Sequence, residues 1–464
     1  MENSYRKLIK KTFQAPNEEF KVNDNQLSWN NVDLMSLIKE HGSPLRISYL
    51  PSIQKNMDKS RRWMKAAMEE LSYEGSYHYC YCTKSSHFKF VLEKVLDNNG
   101  HVETSSAFDI CIIEHLYKQG SVSKDNIIVC NGYKTTDYLE GIVRLLDLGF
   151  TNVYVVLDNK KELSDLLSLT DKQIKLGIRV AAEEAPKFEF YTSRLCIRYL
   201  DVLDFYLEQI KDNPQLDLKM LHFFVNSGIS DSPYYWSELN KTIDVYLSLK
   251  KYARNLSMLD IGGGFPIKNS LNFDFDYQGV LKEILKQVKN ACNDNYYTEP
   301  DILTEFGKFT VGESGALIYG IIDQKDQNDR ERWNMINSSF MTTLPDSWAI
   351  NERFVLLAVN AWERDYERVF LGGLTCDSYD YYNSEQHSNA IYLPKMEKGK
   401  PLFIGFFNTG AYQESLGGYG GVQHCLIPQP KHLVIDQNGK GELNVNVFKE
   451  RQAAQEMFNN LGYK

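Results

Sequence analysis

Lys84 closes an aromatic, cysteine-rich run, Tyr77-His78-Tyr79-Cys80-Tyr81-Cys82-Thr83. A lysine at the end of such a strand is partly desolvated. Desolvation lowers an ammonium pKa and suits the amine to Schiff-base chemistry. The plainer reading is a lysine that caps a strand and reaches solvent. Gly262-Gly263-Gly264 lets the backbone come close to a bound group and leaves amides for a phosphate. It is otherwise a tight turn without a ligand. It does not match G-x-G-x-x-G, and neither does Gly417-Gly418-Tyr419-Gly420-Gly421. Glu305 stands two residues before Gly307 and offers a carboxylate to a cationic ring nitrogen, or to an ordinary salt bridge. Cys376 lies in the acidic loop Leu374-Thr375-Cys376-Asp377-Ser378-Tyr379-Asp380. A thiol there is either a small packing residue or a proton donor.

These residues need a frame. Short β-rich runs occur at 77–83, 101–103, 127–130, 152–156, 175–180, 219–225, 257–260 and 301–305. Between them lie helical patterns at 88–96, 107–118, 136–148, 161–167, 199–211, 234–252 and 277–292. Strands alternating with helices call for a parallel sheet. Eight such units predict an α/β chain with a closed (β/α)8 TIM-like barrel; an open doubly wound sheet is the alternative. A barrel gathers its chemistry at the C-terminal strand ends. Lys84, Glu103, Ser227, the triple glycine, Glu305 and Lys308 all fall there.

After residue 306 the texture changes to shorter β-type runs separated by turn signals, which predicts a C-terminal β-rich domain. The early run 44–50 is also strand-like. The expected division is 1–50 joining the β-domain, 51–306 as the barrel, and 307–464 as the β-domain.

Composition excludes several classes. The chain has 52 Lys+Arg against 61 Asp+Glu, and no basic run, so a general nucleic-acid binder is not expected. No apolar run approaches the roughly 18 residues a membrane span needs. The start, MENSYRKLIKKTFQ, lacks the apolar core of a signal peptide. The eight cysteines include one C-x-C and no C-x-x-C pairs, so neither a metal site nor a disulfide framework is expected. We read a reduced, cytoplasmic protein.

Taken in order, the motifs resemble the barrel-type (fold type III) pyridoxal-phosphate decarboxylases, and most of all the biosynthetic arginine decarboxylases. The motifs are Tyr81-x-x-Lys84, Val129-Cys130-Asn131-Gly132-Tyr133-Lys134, Leu221-His222-Phe223, Asp260-Ile261-Gly262-Gly263-Gly264 and Leu303-Thr304-Glu305-x-Gly307. Leu344-Pro345-Asp346-x-Trp348, Thr375-Cys376-Asp377-Ser378 and Phe406-Phe407-x-x-Gly410-Ala411-Tyr412-Gln413 follow. The resemblance covers nearly the whole chain. The helical insertion of arginine decarboxylases is not evident, so this looks like a compact variant.

The resemblance implies pyridoxal 5'-phosphate as cofactor, joined covalently to Lys84. Gly262, Gly263 and Gly264 would cradle its phosphate, with hydroxyls from Ser227 and Tyr412. Glu305 would hold the pyridine nitrogen protonated. Cys376 would protonate the carbanion after carbon dioxide leaves, and Asp377 would contact the distal end of the substrate. In the family, the counterparts of Cys376 and Asp377 come from the partner subunit, which implies a head-to-tail homodimer with shared sites. Arginine presents a planar guanidinium suited to a bidentate carboxylate. Asp346 is a candidate for that role, or for a helix N-cap.

Three positions depart from the family. Phe224 stands where a ring-stacking histidine is usual, so it can stack on the cofactor but cannot hydrogen-bond. Lys308 replaces an arginine, keeping charge near the phosphate without the bidentate fork. Ser86 replaces an asparagine. The expected reaction is arginine to agmatine and carbon dioxide, in polyamine synthesis. The alternatives are a decarboxylase for ornithine, lysine, diaminopimelate or a carboxynorspermidine-like substrate, or a non-catalytic dimerising homologue. Retention of both Lys84 and Cys376 speaks against the last. A racemase would use a tyrosine acid/base instead of Cys376.

Overall fold

The computed structural model describes residues 19–182, 194–382, 384 and 391–463. The N-terminal stretch read as lacking a signal peptide lies outside the described residues. The chain divides into two compact units. One comprises Ile53–Pro266 and Phe275–Thr310. The other comprises the segment ending at Ser52, then Ile267–Asp274, then Val311–Lys464. The loop Ile267–Asp274 thus groups with the β-rich unit, although it falls within the span expected for the barrel.

In chain order the β-rich unit begins with β1 (Phe20–Asn23), β2 (Gln26–Trp29) and β3 (Val32–Asp33), a small antiparallel meander. The strand β4 (Leu45–Tyr49) follows.

The barrel unit is built from β5 (Tyr77–Cys82), β6 (His101–Thr104), β7 (Ile128–Cys130), β8 (Val153–Leu157), β9 (Ile174–Ala181), β11 (Leu216–Phe223), β12 (Met258–Asp260) and β13 (Asp301–Glu305). The short β10 (Ile197–Arg198) pairs with β9 outside the ring. Each ring strand pairs in parallel with its neighbours, and β13 pairs back onto β5, which closes the barrel. Its interior is filled by Cys80, Val129, Tyr154, Val156, Met220, Met258 and Leu303, so it is a packed core and not a pore. The helices begin where the sequence supplies caps. Ser106, Ser232 and Asp276 each accept the backbone amide three residues on. The helical pattern at 199–211 is interrupted. It is α-helical only over Tyr199–Phe205 and continues as a π turn, Tyr206–Ile210.

The β-rich unit continues with β14 (Gly315–Asp326), β15 (Arg332–Ile336), β16 (Val355–Ala358), β17 (Tyr366–Gly372), β18 (Ile391–Pro394), β19 (Leu402–Phe407), β20 (Lys431–Gln437) and β21 (Leu443–Lys449). The N-terminal strand β4 lies between β14, antiparallel, and β20, parallel. Side chains of β14 alternate between two cores. Ala316 and Ile318 enter one, while Leu317, Tyr319 and Ile321 enter the other. Among the described residues no helix is long and apolar enough to cross a membrane.

Candidate active site

The barrel's polar residues gather at the C-terminal strand ends. Lys84 sits in a single turn, Thr83–Ser85, directly after β5. That turn is fixed by Asp109, which accepts from the Thr83 hydroxyl at 3.1 Å. Asp109 also accepts from the Ser105 amide at 2.9 Å and the Ser106 hydroxyl at 3.1 Å. Tyr81 adds a hydrogen bond from its hydroxyl to the Ser86 carbonyl at 2.9 Å. A five-residue segment is therefore tied down on both sides of the lysine.

The Lys84 ammonium donates to Glu103 Oε2 at 2.6 Å. Glu103 is fully buried near the end of β6, and its Oε1 has no hydrogen-bond partner among the described residues. Desolvation was expected to lower the lysine pKa, and the structure corrects this. What burial it has opposes the charge, but the Lys84 side chain is 44% exposed and reaches solvent, and Cys82, Glu103 and Glu305 beside it hold the ammonium well above the usual lysine value. Glu103 dominates physically, because burial pushes the Cys82 thiol far up and keeps it neutral.

Glu305 ends β13 and is 6% exposed. Its Oε1 accepts from the Asn131 amide at 2.5 Å, and His222 Nε2 lies 3.5 Å from Oε2. Burial and the nearby Glu103 raise the Glu305 carboxyl, and burial with Glu305 raises Asp260 further. Both carboxyls cannot ionise together at low dielectric, and Asp260, raised the further of the two, holds the proton and leaves the charge on Glu305. His222 is buried, and burial with the Arg179 charge drives it well below its usual value, so it is neutral. Asn131, His222 and Asp260 carried no assigned role in the sequence reading. Their signal was partly visible: Asp260 ends the apolar strand β12 and Asn131 directly follows the apolar strand β7, whereas His222 lies in a strand that also carries Asp217 and Lys219.

The glycines form a cradle. Gly262 and Gly264 have φ of +67° and +90°, open to glycine and strained for other residues. A Cβ on Gly263 would lie 2.0 Å from the Glu305 carbonyl oxygen, and one on Gly228 would lie 2.2 Å from the Gly264 carbonyl oxygen. Backbone thus meets backbone, and Ser227 is carried on the loop that packs against the triple glycine. Phe224 borders the same loop, 3.2 Å from where a Gly262 Cβ would be, and the Arg179 guanidinium lies 5.6 Å from its ring centre. Lys308 opens the short helix Lys308–Val311 after β13.

The remaining expected residues lie in the β-rich unit. Tyr412 has φ of +69° and opens the turn Gln413–Leu416. Asp346 is not an N-cap. Leu344 holds that position, and Asp346 lies inside the helix Pro345–Ala349. It is buried and accepts from Gln413 Nε2 at 2.7 Å. Asp377 is partly buried and accepts from the Tyr379 amide at 2.8 Å. Cys376 is exposed, with its sulfur 3.5 Å from that of Cys425.

The barrel mouth fits a pyridoxal phosphate group: an amine for an aldehyde, a buried carboxylate for a ring nitrogen, an aromatic face, and a glycine cradle for a phosphate. Residues 57–312 match the family described as "Pyridoxal-dependent decarboxylase, pyridoxal binding domain". The chain belongs to that family. As a pyridoxal-dependent amino-acid decarboxylase, it uses pyridoxal phosphate as cofactor. It is similar to the "Biosynthetic arginine decarboxylase" of Prochlorococcus marinus (strain AS9601), with 22% identity covering 91% of this chain and 84% of the relative. That alignment spans 556 positions, more than the 464 residues here, so the relative carries insertions that this decarboxylase lacks. The fold matches the biosynthetic arginine decarboxylase from Campylobacter jejuni at a TM-score of 0.81 and 19% identity, covering 97% of this chain and 89% of the other. It also matches the diaminopimelate decarboxylase from M. jannaschii at a TM-score of 0.77 and 17% identity, covering 96% and 97%.

Proposed function

We propose that this decarboxylase acts on arginine and yields agmatine and carbon dioxide for polyamine synthesis. The observation that carries this is the similarity over 91% of the chain to a biosynthetic arginine decarboxylase. When bound, pyridoxal phosphate takes up the electron pair left by the departing carboxylate. The residues have separate tasks in this reading. Lys84 would hold the cofactor covalently through its amine. Glu305, oriented by Asn131, keeps the ring nitrogen protonated. The amides of Gly262, Gly263 and Gly264 hold the phosphate, with Ser227, Lys308 and Tyr412. Phe224 lies against the ring face. Cys376 delivers one proton to the substrate carbon after carbon dioxide leaves. Asp377 and Asp346 supply carboxylates for the guanidinium. Cys376 and Asp377 come from the second subunit of a cytoplasmic homodimer.

The test is the coloured protein and its product. Wild-type protein should be yellow and convert arginine to equal amounts of agmatine and carbon dioxide. Lys84→Ala should be colourless and inactive. A yellow wild type that forms no agmatine would defeat the arginine assignment.

A further inference from the structure

Cysteine spacing alone disclosed no metal site, because the sequence has no C-x-x-C pairs. The fold brings together cysteines that lie 49 residues apart. Cys376 Sγ and Cys425 Sγ are 3.5 Å apart, and both side chains are exposed. His424 joins them, and one ligand atom from each of the three lies within 4.8 Å of the others. Two sulfurs on a tetrahedral zinc, each at about 2.3 Å, stand about 3.8 Å apart. The observed spacing is close to that value.

Both loops are built to hold this geometry. The Cys376 loop is pinned by Asp380, which accepts from the Thr375 amide at 2.9 Å and its hydroxyl at 2.7 Å. The opposing turn, His424–Leu426, places Cys425 and Leu426 side by side at φ of +52°. Asp24–Asn25 and Asn30–Asn31 share this backbone, but Asn and Asp tolerate it; a Cys–Leu pair there is strained, and strain of this kind clusters at ligand sites. The turn is closed by the Leu426 amide donating to the Gln423 carbonyl at 2.9 Å. It presents the adjacent His424 and Cys425 to one point.

We propose that Cys376, His424 and Cys425 form a binding site for a thiophilic divalent cation such as zinc. Two thiolates and an imidazole suit a soft or borderline ion, and the fourth position stays open to water. Binding is ligand exchange without oxidation. Two thiol protons leave to solvent, and two sulfur–metal bonds and one nitrogen–metal bond replace metal–water bonds. A filled site takes up the Cys376 thiol, so the metal inhibits turnover. The inhibitory consequence rests on Cys376 being the proton donor, whereas metal binding does not.

The experiment uses the full-length holoenzyme, reduced and freed of metal. Zinc is titrated by calorimetry, and cobalt by its thiolate charge-transfer absorption. Wild type should bind one ion per chain and lose activity in step with occupancy. Cys425→Ser and His424→Ala should keep activity without zinc, and each should weaken binding by roughly tenfold or more. The cobalt spectrum reads sulfur ligation in wild type even if a variant misfolds. Absence of stoichiometric binding, a cobalt spectrum lacking the thiolate band, or binding unchanged in both variants would overturn the proposal. A Cys376–Cys425 disulfide in the reduced preparation would overturn it as well. Stoichiometric binding without inhibition would keep the site and remove Cys376 from the proton-donor role.

Discussion

At the residue scale, the site turns on who holds the proton of Lys84. Only the neutral amine is nucleophilic, so Lys84 would have to lose that proton to hold pyridoxal phosphate covalently. The Glu103 carboxylate at 2.6 Å stabilises the ammonium and holds its pKa high. Attachment of pyridoxal phosphate to the apo-protein should therefore speed up as pH rises toward that pKa. In Glu103→Gln the ammonium loses its anionic partner, its pKa falls, and the same rate is reached at lower pH. The check is the rate of colour return across a pH series. An unshifted profile would show that Glu103 does not set the proton affinity of Lys84. Lys84, Glu305 and the triple glycine were legible in the sequence because each interrupts a strand pattern with a residue type that carries chemistry. Glu103 was visible as a strand end but had no role, because the role depends on a partner from the neighbouring strand. The direction of the Lys84 shift was misjudged for the same reason. A linear reading sees the apolar strand but not the buried carboxylate that the parallel register of β5 and β6 sets beside it.

At the element scale, the most telling strand is β4. It is buried throughout, and it bridges β14 and β20 from more than 250 residues away in sequence. Its Arg46 is 2% exposed and pairs with Glu414 at 2.7 Å. Removing one partner of a buried pair leaves an uncompensated charge, which costs about 3–5 kcal/mol. Arg46→Ala should lower the stability of the β-rich unit by that order, as read by denaturant unfolding. A loss near zero would mean that solvent reaches Glu414. The eight barrel strands were readable from alternation of strand and helix. The break at Tyr206 was not, because a π turn keeps the same residue types as the α-helix it interrupts. Of the two readings of Asp346, the N-cap fails, because Pro345 takes the first helical position and pushes the boundary back to Leu344.

At the scale of the whole molecule, the claim is a homodimer whose sites each use Lys84 from one subunit and Cys376 from the other. Two inactive variants should then complement each other. Lys84→Ala and Cys376→Ala, dissociated and mixed in equal amounts, form half their dimers as hybrids with one intact site. Activity should recover to about a quarter of wild type, by the statistics of random pairing. No recovery from freely exchanging subunits would place both residues in one chain. The overall charge bears weakly on substrate: 61 acidic against 52 basic residues suit a cationic amino acid without selecting one. Selection among amino acids is the central question, and one measurement addresses it directly. Carbon dioxide release should be compared side by side for arginine, ornithine, lysine and diaminopimelate, with pyridoxal phosphate present. Arginine should have the highest kcat/KM of the four. Equal or greater kcat/KM with any of the other three would contradict it.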